Sequence, residues 1–299
     1  MINRDGFHVC LLLPMLCATL VGCGPKSPQQ IAIAELESVG ARIKFDENGP
    51  NKHVIAVSLN GPQVTDSAMT QLKAFTELRK LSLIGTKVTD AGIVPVATLS
   101  TLQELRLDQM QLSDAGLEEV KPLTSLQLLW LNHTQVTSDG LSIVGNLPNL
   151  RSVYLSFTNV DDAGLAHLTQ LTKLEQLDLS STNIGDTGLS HLRTLANLRE
   201  IGLWGTKVTD AGLAHLSGLT KLEGLELLKT SVGDQGMKHI SGLKQLRTLG
   251  IGGTQVSDDS VPVLAGFTNL IQLNVDNSKL TKDGIRSLKD ALPKCLVLD

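Results

Sequence analysis

The stretch LRKLSLIGTKVTDAGI, residues 78–93, decides the fold because its pattern returns every 24 residues. Leu81 and Leu83 are separated by a serine, as in a strand that buries only one face. Ile93 opens a second pattern, in which apolar residues follow at intervals of three, as on one face of a helix. Each unit is therefore predicted to consist of a strand, a turn, a helix and a segment that leads back to the next strand.

The repeat continues without an insertion to the end of the chain. We number the first apolar strand residue of each unit 0. Position 0 is occupied by Val57, Leu81, Leu105, Leu129, Val153, Leu177, Ile201, Leu225, Leu249, Leu273 and Val297. A constant period of this length indicates a stack of similar layers, each of which buries its apolar face against its neighbours.

The composition agrees with many small layers rather than one core of bulky rings. The chain has 299 residues, of which 41% are hydrophobic and only 3% are aromatic. Its charged fraction of 19% and formal net charge of −4 argue against disorder and against a basic nucleic-acid binder.

The turn of each unit has its own recurring residues. Thr, Ser or Asp at position +8 is predicted to cap the N-terminus of the helix. The negative charge of Asp at +9 is predicted to interact favourably with the positive end of the helix dipole. Gly at +11 predicts a close backbone approach between layers. Thr or Ser at +5 is predicted to bridge the backbones of successive layers, in a column that Pro62 and Met110 interrupt.

Residues 78–86, LRKLSLIGT, resemble the leucine-rich repeat pattern L-x-x-L-x-L-x-x-(N/C/T). The VTDAG turn resembles the ribonuclease-inhibitor-like and cysteine-containing branch of that family, and its abundance resembles leucine-rich repeat lipoproteins of planctomycete bacteria. The closing ALPKC of residues 291–295 is similar to an ending that these proteins share. The resemblance implies a repeat domain over 57–299, but it leaves the ligand open because repeats serve as scaffolds for many partners.

The expected fold class is α/β: a curved, right-handed solenoid of about ten 24-residue units. Strands stack at ~4.8 Å while helices need roughly 8–10 Å, so the parallel sheet should line the concave face and the helices the convex face. An end of such an array needs a cap. We assign residues 31–56 to it, with a helix at 31–39, a strand at 42–45 and a turn at 46–52.

The N-terminus has the features of a bacterial lipoprotein leader. Residues 9–21 are almost entirely apolar, yet they are too few to span a bilayer, which fits a signal peptide over 1–22. The tetrapeptide LVGC at 20–23 resembles a lipobox, which implies lipidation of Cys23 and a linker over 23–30. Gly24 after that cysteine implies outer-membrane sorting. The alternative is an ordinary secreted protein that is cleaved nearby.

The cysteines favour stability through packing alone. Cys10 and Cys17 fall in the predicted leader, and Cys23 would be acylated. The mature chain then retains only Cys295 as a free thiol, which is expected to behave as a small buried hydrophobe.

No sequence motif of catalysis is present. The chain lacks G-x-S-x-G, H-E-x-x-H, a P-loop and C-x-x-C, so we expect neither an enzyme nor a cofactor. The recurring Asp at +9 is interpreted as structural. One column of histidines lies 24 residues apart and comprises His167, His191, His215 and His239. Duplication of an A-H-L fragment is the favoured explanation, and a metal site or a response to pH is the alternative.

All three Trp and Tyr residues fall on outward strand positions. Trp130 and Tyr154 occupy +1, Trp204 occupies +3, and His133 and Phe157 occupy +4. Neighbouring strands would bring Trp130 and Tyr154 about 4.8 Å apart. Exposed rings with a charged margin are typical of binding hot spots, although rings that merely cover the sheet remain an alternative. The predicted charged margin consists of Arg106, Asp108 and Asp178.

Three functions remain open at this point. The first is a non-enzymatic, lipid-anchored envelope protein that recognises a protein partner through its concave face. The second is an envelope receptor for a glycan or small ligand that stacks on Trp130 and Tyr154. The third, an enzyme, has no motif in its support. Membrane contact is expected only through the lipid anchor.

Overall fold

The computed structural model describes residues 26–46 and 52–299. The predicted signal peptide over 1–22, the lipidation site at Cys23 and most of the predicted turn at 46–52 lie outside the described residues. Within the described part of the chain, no helix has the length and apolarity needed to cross a membrane.

In the described residues, twelve strands form a single open sheet whose spatial order is the order of the chain. The strands are β1 Arg42–Phe45, β2 Val54–Ser58, β3 Lys80–Ser82, β4 Glu104–Arg106, β5 Leu128–Trp130, β6 Ser152–Tyr154, β7 Gln176–Asp178, β8 Glu200–Gly202, β9 Gly224–Glu226, β10 Thr248–Gly250, β11 Gln272–Asn274 and β12 Leu296–Leu298. β1 pairs antiparallel with β2, and every later pair is parallel. The predicted α/β solenoid is confirmed.

The first helix precedes β1, and the later helices lie between successive parallel strands. The helices are α1 Pro28–Ser38, α2 Asp66–Met69, α3 Asp90–Ile93, α4 Asp114–Leu117, α5 Leu141–Val144, α6 Asp162–Leu165, α7 Asp186–Ser190, α8 Asp210–Leu213, α9 Asp234–His239, α10 Val261–Ala265 and α11 Lys282–Ala291. In several repeats a single α-turn passes into a 3₁₀ segment, as at Ala166–Gln170. The spacing of three that predicted these segments suits a 3₁₀ helix, which has three residues per turn.

The core is a lattice of aliphatic side chains between the sheet and the helices. Position 0 and position +2 of each strand point into it, as Leu129 and Leu131 do. Phe75 and Phe267 are the largest fully buried side chains, and the remaining described rings lie outside the core or at its edge. Each layer fills its space with leucine, which explains why the protein needs so few aromatics.

The Asp at +9 links each repeat to the next one. Asp186 accepts hydrogen bonds from the backbone N–H and the hydroxyl of Thr209, at 2.8 and 2.6 Å. The same pair of bonds joins Asp66 to Thr89 and Asp258 to Thr281. These carboxylates are structural, and they hold the following turn as well as their own helix start.

The Gly at +11 makes room for that carboxylate. A Cβ added at Gly212 would lie 2.3 Å from Oδ1 of Asp186. The predicted close approach between layers is therefore real, but the nearest neighbour is the preceding repeat's aspartate side chain rather than its backbone. In the one repeat with serine at +11, the hydroxyl of Ser260 donates to Asp234 instead.

The Thr column at +5 does not bridge layers as the sequence predicted. Each buried hydroxyl donates to the carbonyl three residues earlier in its own turn, as Thr206 does to Leu203 at 2.7 Å. The side chain is too short to reach the next strand and satisfies its own turn instead. Thr86 is the exception, because its buried hydroxyl oxygen has no hydrogen-bond partner among the described residues.

The two ends differ in detail from the expected boundaries. α1 begins at Pro28, inside the predicted linker of 23–30, because Ser27 and Gln30 form a capping box. β1 covers the expected strand at 42–45 and closes the first face of the array. At the other end, Cys295 is half-buried and packs against the core rather than lying inside it.

Candidate binding surface on the sheet face

The sheet face, defined here as the side of the sheet opposite the helices, is formed by strand positions −1, +1, +3 and +4. The parallel register aligns equal positions of successive repeats, so that Arg106, Trp130, Tyr154 and Asp178 stand side by side. Side chains 24 residues apart in sequence therefore form continuous columns across the strands.

Position +4 has a left-handed backbone in the repeats. Four of these positions hold glycine, for example Gly85 with φ 65°. His133 and Phe157 adopt the same conformation with φ values of 55° and 57°. The other four positions have φ values between 53° and 58°, so the left-handed backbone belongs to the turn of every repeat; they hold Gln109, Ser181, Lys229 and Asn277.

The predicted pair of Trp130 and Tyr154 forms a parallel stack. Their ring centroids are 5.1 Å apart and their planes differ by 4°. The guanidinium of Arg106, from the strand on the other side, lies 4.8 Å from the Trp130 centroid. Both faces of the Trp130 ring are thus covered, and the ring presents its edge to solvent.

The remaining rings form a second group beside the first. His133 stacks on Phe157 with centroids 4.2 Å apart, and Phe157 meets Trp204 at 5.5 Å with a tilt of 55°. Trp204 reaches across one intervening strand to do so. Lys229 Nζ lies 5.5 Å from the Trp204 centroid. Phe157 is 44% exposed, which is unusual for a side chain of its size.

The predicted charged margin is only partly at the surface. Arg106 is exposed and Asp178 is half-buried on the sheet face. Asp108 is only 7% exposed and accepts a hydrogen bond from Asn132 at 2.8 Å. The expected exposure of Asp108 is wrong because position +3 turns toward the neighbouring strand, where polar side chains bond to each other.

A cavity of about 450 Å³ opens beyond Tyr154, over strands β6 to β10. Its volume falls in the range of sites for small ligands and side chains. Tyr154 and Trp204 stand at its border, and small residues lie in its floor at Gly202 and Gly224. Three carboxylates contribute to its lining: Asp178, Glu200 and Glu226.

Two of these carboxylates lie over glycines of the next strand. A Cβ at Gly202 would be 2.4 Å from Oδ1 of Asp178, and one at Gly250 would be 2.0 Å from Oε2 of Glu226. The glycines therefore allow the acidic side chains to lie flat along the floor. Burial raises the pKa of Glu226. No hydrogen bond or ion pair of the Glu226 carboxylate is found in the described part of the chain.

The phenol of Tyr154 is held in place by a polar relay. It donates to Gln176 Oε1 at 2.8 Å, and Gln176 Nε2 donates to Glu200 at 2.9 Å. Burial raises the pKa of Tyr154, and the negative charges of Glu200 and Asp178 add to this effect. The cavity thus has a negative potential where it meets the ring stack.

The opposite end of the sheet face is basic. A groove of about 310 Å³ over β1 to β4 is lined by Arg42, Lys44, Lys80 and Arg106, with Glu104 as its acidic member. Lys80 pairs with Glu104 at 2.6 Å, and neither Arg42 nor Lys44 forms an ion pair within residues 26–46 and 52–299. The sheet face therefore runs from basic, through aromatic, to acidic.

The histidine column lies on the helix side. His167 and His239 are exposed, while His191 and His215 are half-buried. Among the residues that the structure describes, no group of three or more His, Cys, Asp or Glu side chains is arranged to hold a metal ion.

The acidic cavity was missed at the sequence level. The rings and their charged margin were predicted from the outward columns, and Glu200 at −1 and Glu226 at +1 occupy the same columns. Searching those positions for acidic residues would have found them. Their convergence on one cavity could not have been found that way, because it depends on how far side chains reach over the glycine floor.

An open array of parallel strands with side chains exposed along one face defines a leucine-rich repeat scaffold. The family model described as a leucine-rich repeat region matches residues 56–298, and the chain belongs to this family. The chain is similar in structure to an internalin of Listeria monocytogenes, with 18% identity and a TM-score of 0.58 over 90% of this chain and 94% of that one.

A second solved structure, internalin C2 of Listeria monocytogenes, matches 78% of this chain and 83% of that chain with 24% identity and a TM-score of 0.46. At these identities the likeness concerns the fold alone. Comparison with curated protein sequences gave no match.

Proposed function

We propose that this protein is a non-enzymatic recognition module that binds a protein partner through its sheet face. The observation that carries the proposal is the ring cluster of Trp130, Tyr154, His133, Phe157 and Trp204. Its members form two neighbouring groups, the stacked pair of Trp130 and Tyr154 and the contacts of Phe157 with His133 and Trp204, and all of them lie outside the core. Trp and Tyr side chains are the usual anchors of a protein interface.

The exposure of the rings supports a binding role over simple coverage of the sheet. Phe157 is 44% exposed, and it contacts His133 and Trp204 rather than the core. Contiguous apolar surface that is left exposed is typical of interaction sites.

Ring geometry favours a protein over a glycan. A sugar stacks on an open ring face, but Arg106 and Tyr154 cover both faces of Trp130, and of this pair only Tyr154 has a face left, which borders the acidic cavity. Ring edges and flexible charges are better suited to a protein surface. A stable protein partner would cover about 800 Å² on this side, which spans several repeats.

The double variant Trp130→Ala with Tyr154→Ala tests this proposal. The chain from residue 24 onward, which contains every described residue, serves as bait for crosslinking and pull-down from the native envelope. We expect the double variant to lose a partner that the wild type captures, while its circular dichroism is unchanged. Val94→Ala is the matched control, because Val94 is also exposed, at 50%, but lies in a helical segment. Equal capture by the double variant would refute binding through this surface.

We further propose that the module is anchored by lipid on Cys23 in the bacterial envelope, at the outer membrane. The apolar leader and the LVGC sequence of residues 20–23 support this address. Cys23→Ser should abolish incorporation of labelled palmitate and release the protein from the membrane fraction. Persistent labelling of the variant would contradict the proposal, and an unlabelled, released wild type would favour the ordinary secreted protein.

A further inference from the structure

The acidic cavity has a charge that its own residues do not neutralise. The backbone N–H of Ser180 donates to Asp178 and the side-chain amide of Gln176 donates to Glu200, but neither carboxylate forms an ion pair in the described residues. Glu226 is half-buried and has no such partner there. Lys229, the cation next to Trp204, is not within ion-pair distance of any of the three. A cation entering the cavity would supply the missing partner.

The geometry excludes a metal ion as the natural occupant. The three carboxylates do not converge into a ligand set for a metal within the described chain. They are distributed along the walls and floor of a space of about 450 Å³. An elongated organic cation can contact carboxylates that are spread in this way, whereas a metal needs its ligands within about 2.6 Å of one point.

The aromatic border supplies the second element of cation recognition. Tyr154 and Trp204 line the same space as the carboxylates. A guanidinium or ammonium group is attracted to the face of such rings, and its aliphatic stem packs against them. The rings thus match both parts of a long basic side chain.

We infer that the cavity bordered by Tyr154 and Trp204 binds the side chain of an arginine or lysine that a protein partner presents. This inference rests on the proposed function, because it specifies the chemistry of the partner at one end of the same surface. The carboxylates of Glu200 and Glu226 pair with the cation, and its stem lies in the space of about 450 Å³ that they line. The raised pKa of Glu226 is consistent with a carboxylate that lacks its partner.

The chain contains two tryptophans, which makes a direct test possible by NMR. Trp204 lines the cavity, whereas Trp130 does not and acts as an internal reference. The probe is Nα-acetyl-arginine methylamide, and its neutral isostere is the matching citrulline compound. We expect the arginine probe to shift the Trp204 indole signal with little effect on Trp130, and the citrulline probe to bind at least about tenfold more weakly.

Charge variants link that signal to the carboxylates. The double variant Glu200→Gln with Glu226→Gln should bind the arginine probe about tenfold more weakly than the wild type. Glu118→Gln, which removes a charge from a helical segment, is the control and should leave binding unchanged. Equal binding of the citrulline compound, or no effect of the double variant, would overturn the inference. Free agmatine binding a hundredfold more tightly than the blocked arginine would overturn the assignment to a partner's side chain.

Failure of the inference can be distinguished from failure of the proposed function. Once a partner is captured, Trp130→Ala tests the ring cluster without altering the cavity lining, and the Glu200/Glu226 double variant tests the cavity alone. Capture that is lost with Trp130→Ala but kept by the double variant rejects only the inference. If Trp130→Ala leaves capture unchanged while the arginine probe still shifts the indole signal of Trp204, only the ring-based function is rejected.

Discussion

Gly284 and Asp258 allow the contact between successive repeats to be tested. The effect of Gly284→Ala on the free energy of unfolding should change sign when the carboxylate of Asp258 is removed. Asp258 accepts hydrogen bonds from the backbone N–H and hydroxyl of Thr281, at 2.8 and 2.6 Å. A Cβ at Gly284 would lie 2.1 Å from Oδ1 of Asp258, and its three nearest atoms would all belong to that carboxyl group. Without the carboxyl group, nothing would lie closer than 3.3 Å.

The expected energies follow from these contacts. Asp258→Ala loses two hydrogen bonds to a carboxylate at a partly exposed site, which costs about 2 kcal/mol. Gly284→Ala gains about 1 kcal/mol of helix propensity within α11. In the wild type it also displaces the carboxylate, so its net effect is a loss of about 1 kcal/mol. In the Asp258→Ala background the clash is absent, and the same substitution should stabilise by up to about 1 kcal/mol.

The assay is urea unfolding followed by circular dichroism for the wild type, both single variants and the double variant. A coupling of about 2 kcal/mol is expected from the cycle. The m-values must agree among the four proteins, because a repeat array can unfold in parts. If Gly284→Ala destabilises both backgrounds equally, the carboxylate is not what glycine accommodates, and the explanation given for the +11 column fails.

Three further results are expected from single sites. Glu226→Gln should raise the melting temperature at pH 7 but not near pH 4. Because the pKa of Glu226 is raised in the folded protein, ionisation of this carboxyl group lowers stability as the pH rises from about 4.5 through the folded pKa. An equal gain at both pH values would contradict this. Thr206→Val should cost about 1 kcal/mol in urea unfolding, whereas Thr86→Val should be neutral or stabilising, because only Thr206 has a bonded hydroxyl. Burial raises the pKa of Cys295, so its reaction with a thiol reagent at pH 7 should be slower than that of free cysteine; an equal rate would refute the partial burial.

The face on which each ring lies could be predicted, but the contacts of each ring could not. Trp130, Tyr154 and Trp204 occupy outward positions that simple counting from position 0 identifies. The tilt of Phe157 against Trp204 needed the structure, since these rings belong to strands that are not neighbours. Asp108 shows the same limit, because an outward position became buried once Asn132 bonded to it.

The architecture of one repeat, its period of 24 residues and its apolar core could all be predicted from the sequence. Apolar residues recurring every 24 positions leave few ways to bury them, so the strand register and the columns of the sheet face follow from counting. The tertiary structure decided which polar groups meet across the layers: Asp258 with Thr281, the hydroxyl of Thr206 with its own turn, and the carboxylates with the glycine floor. Burial of apolar surface is non-directional and can be predicted from pattern, whereas hydrogen bonds and cavities depend on distances of a few tenths of an ångström between repeats.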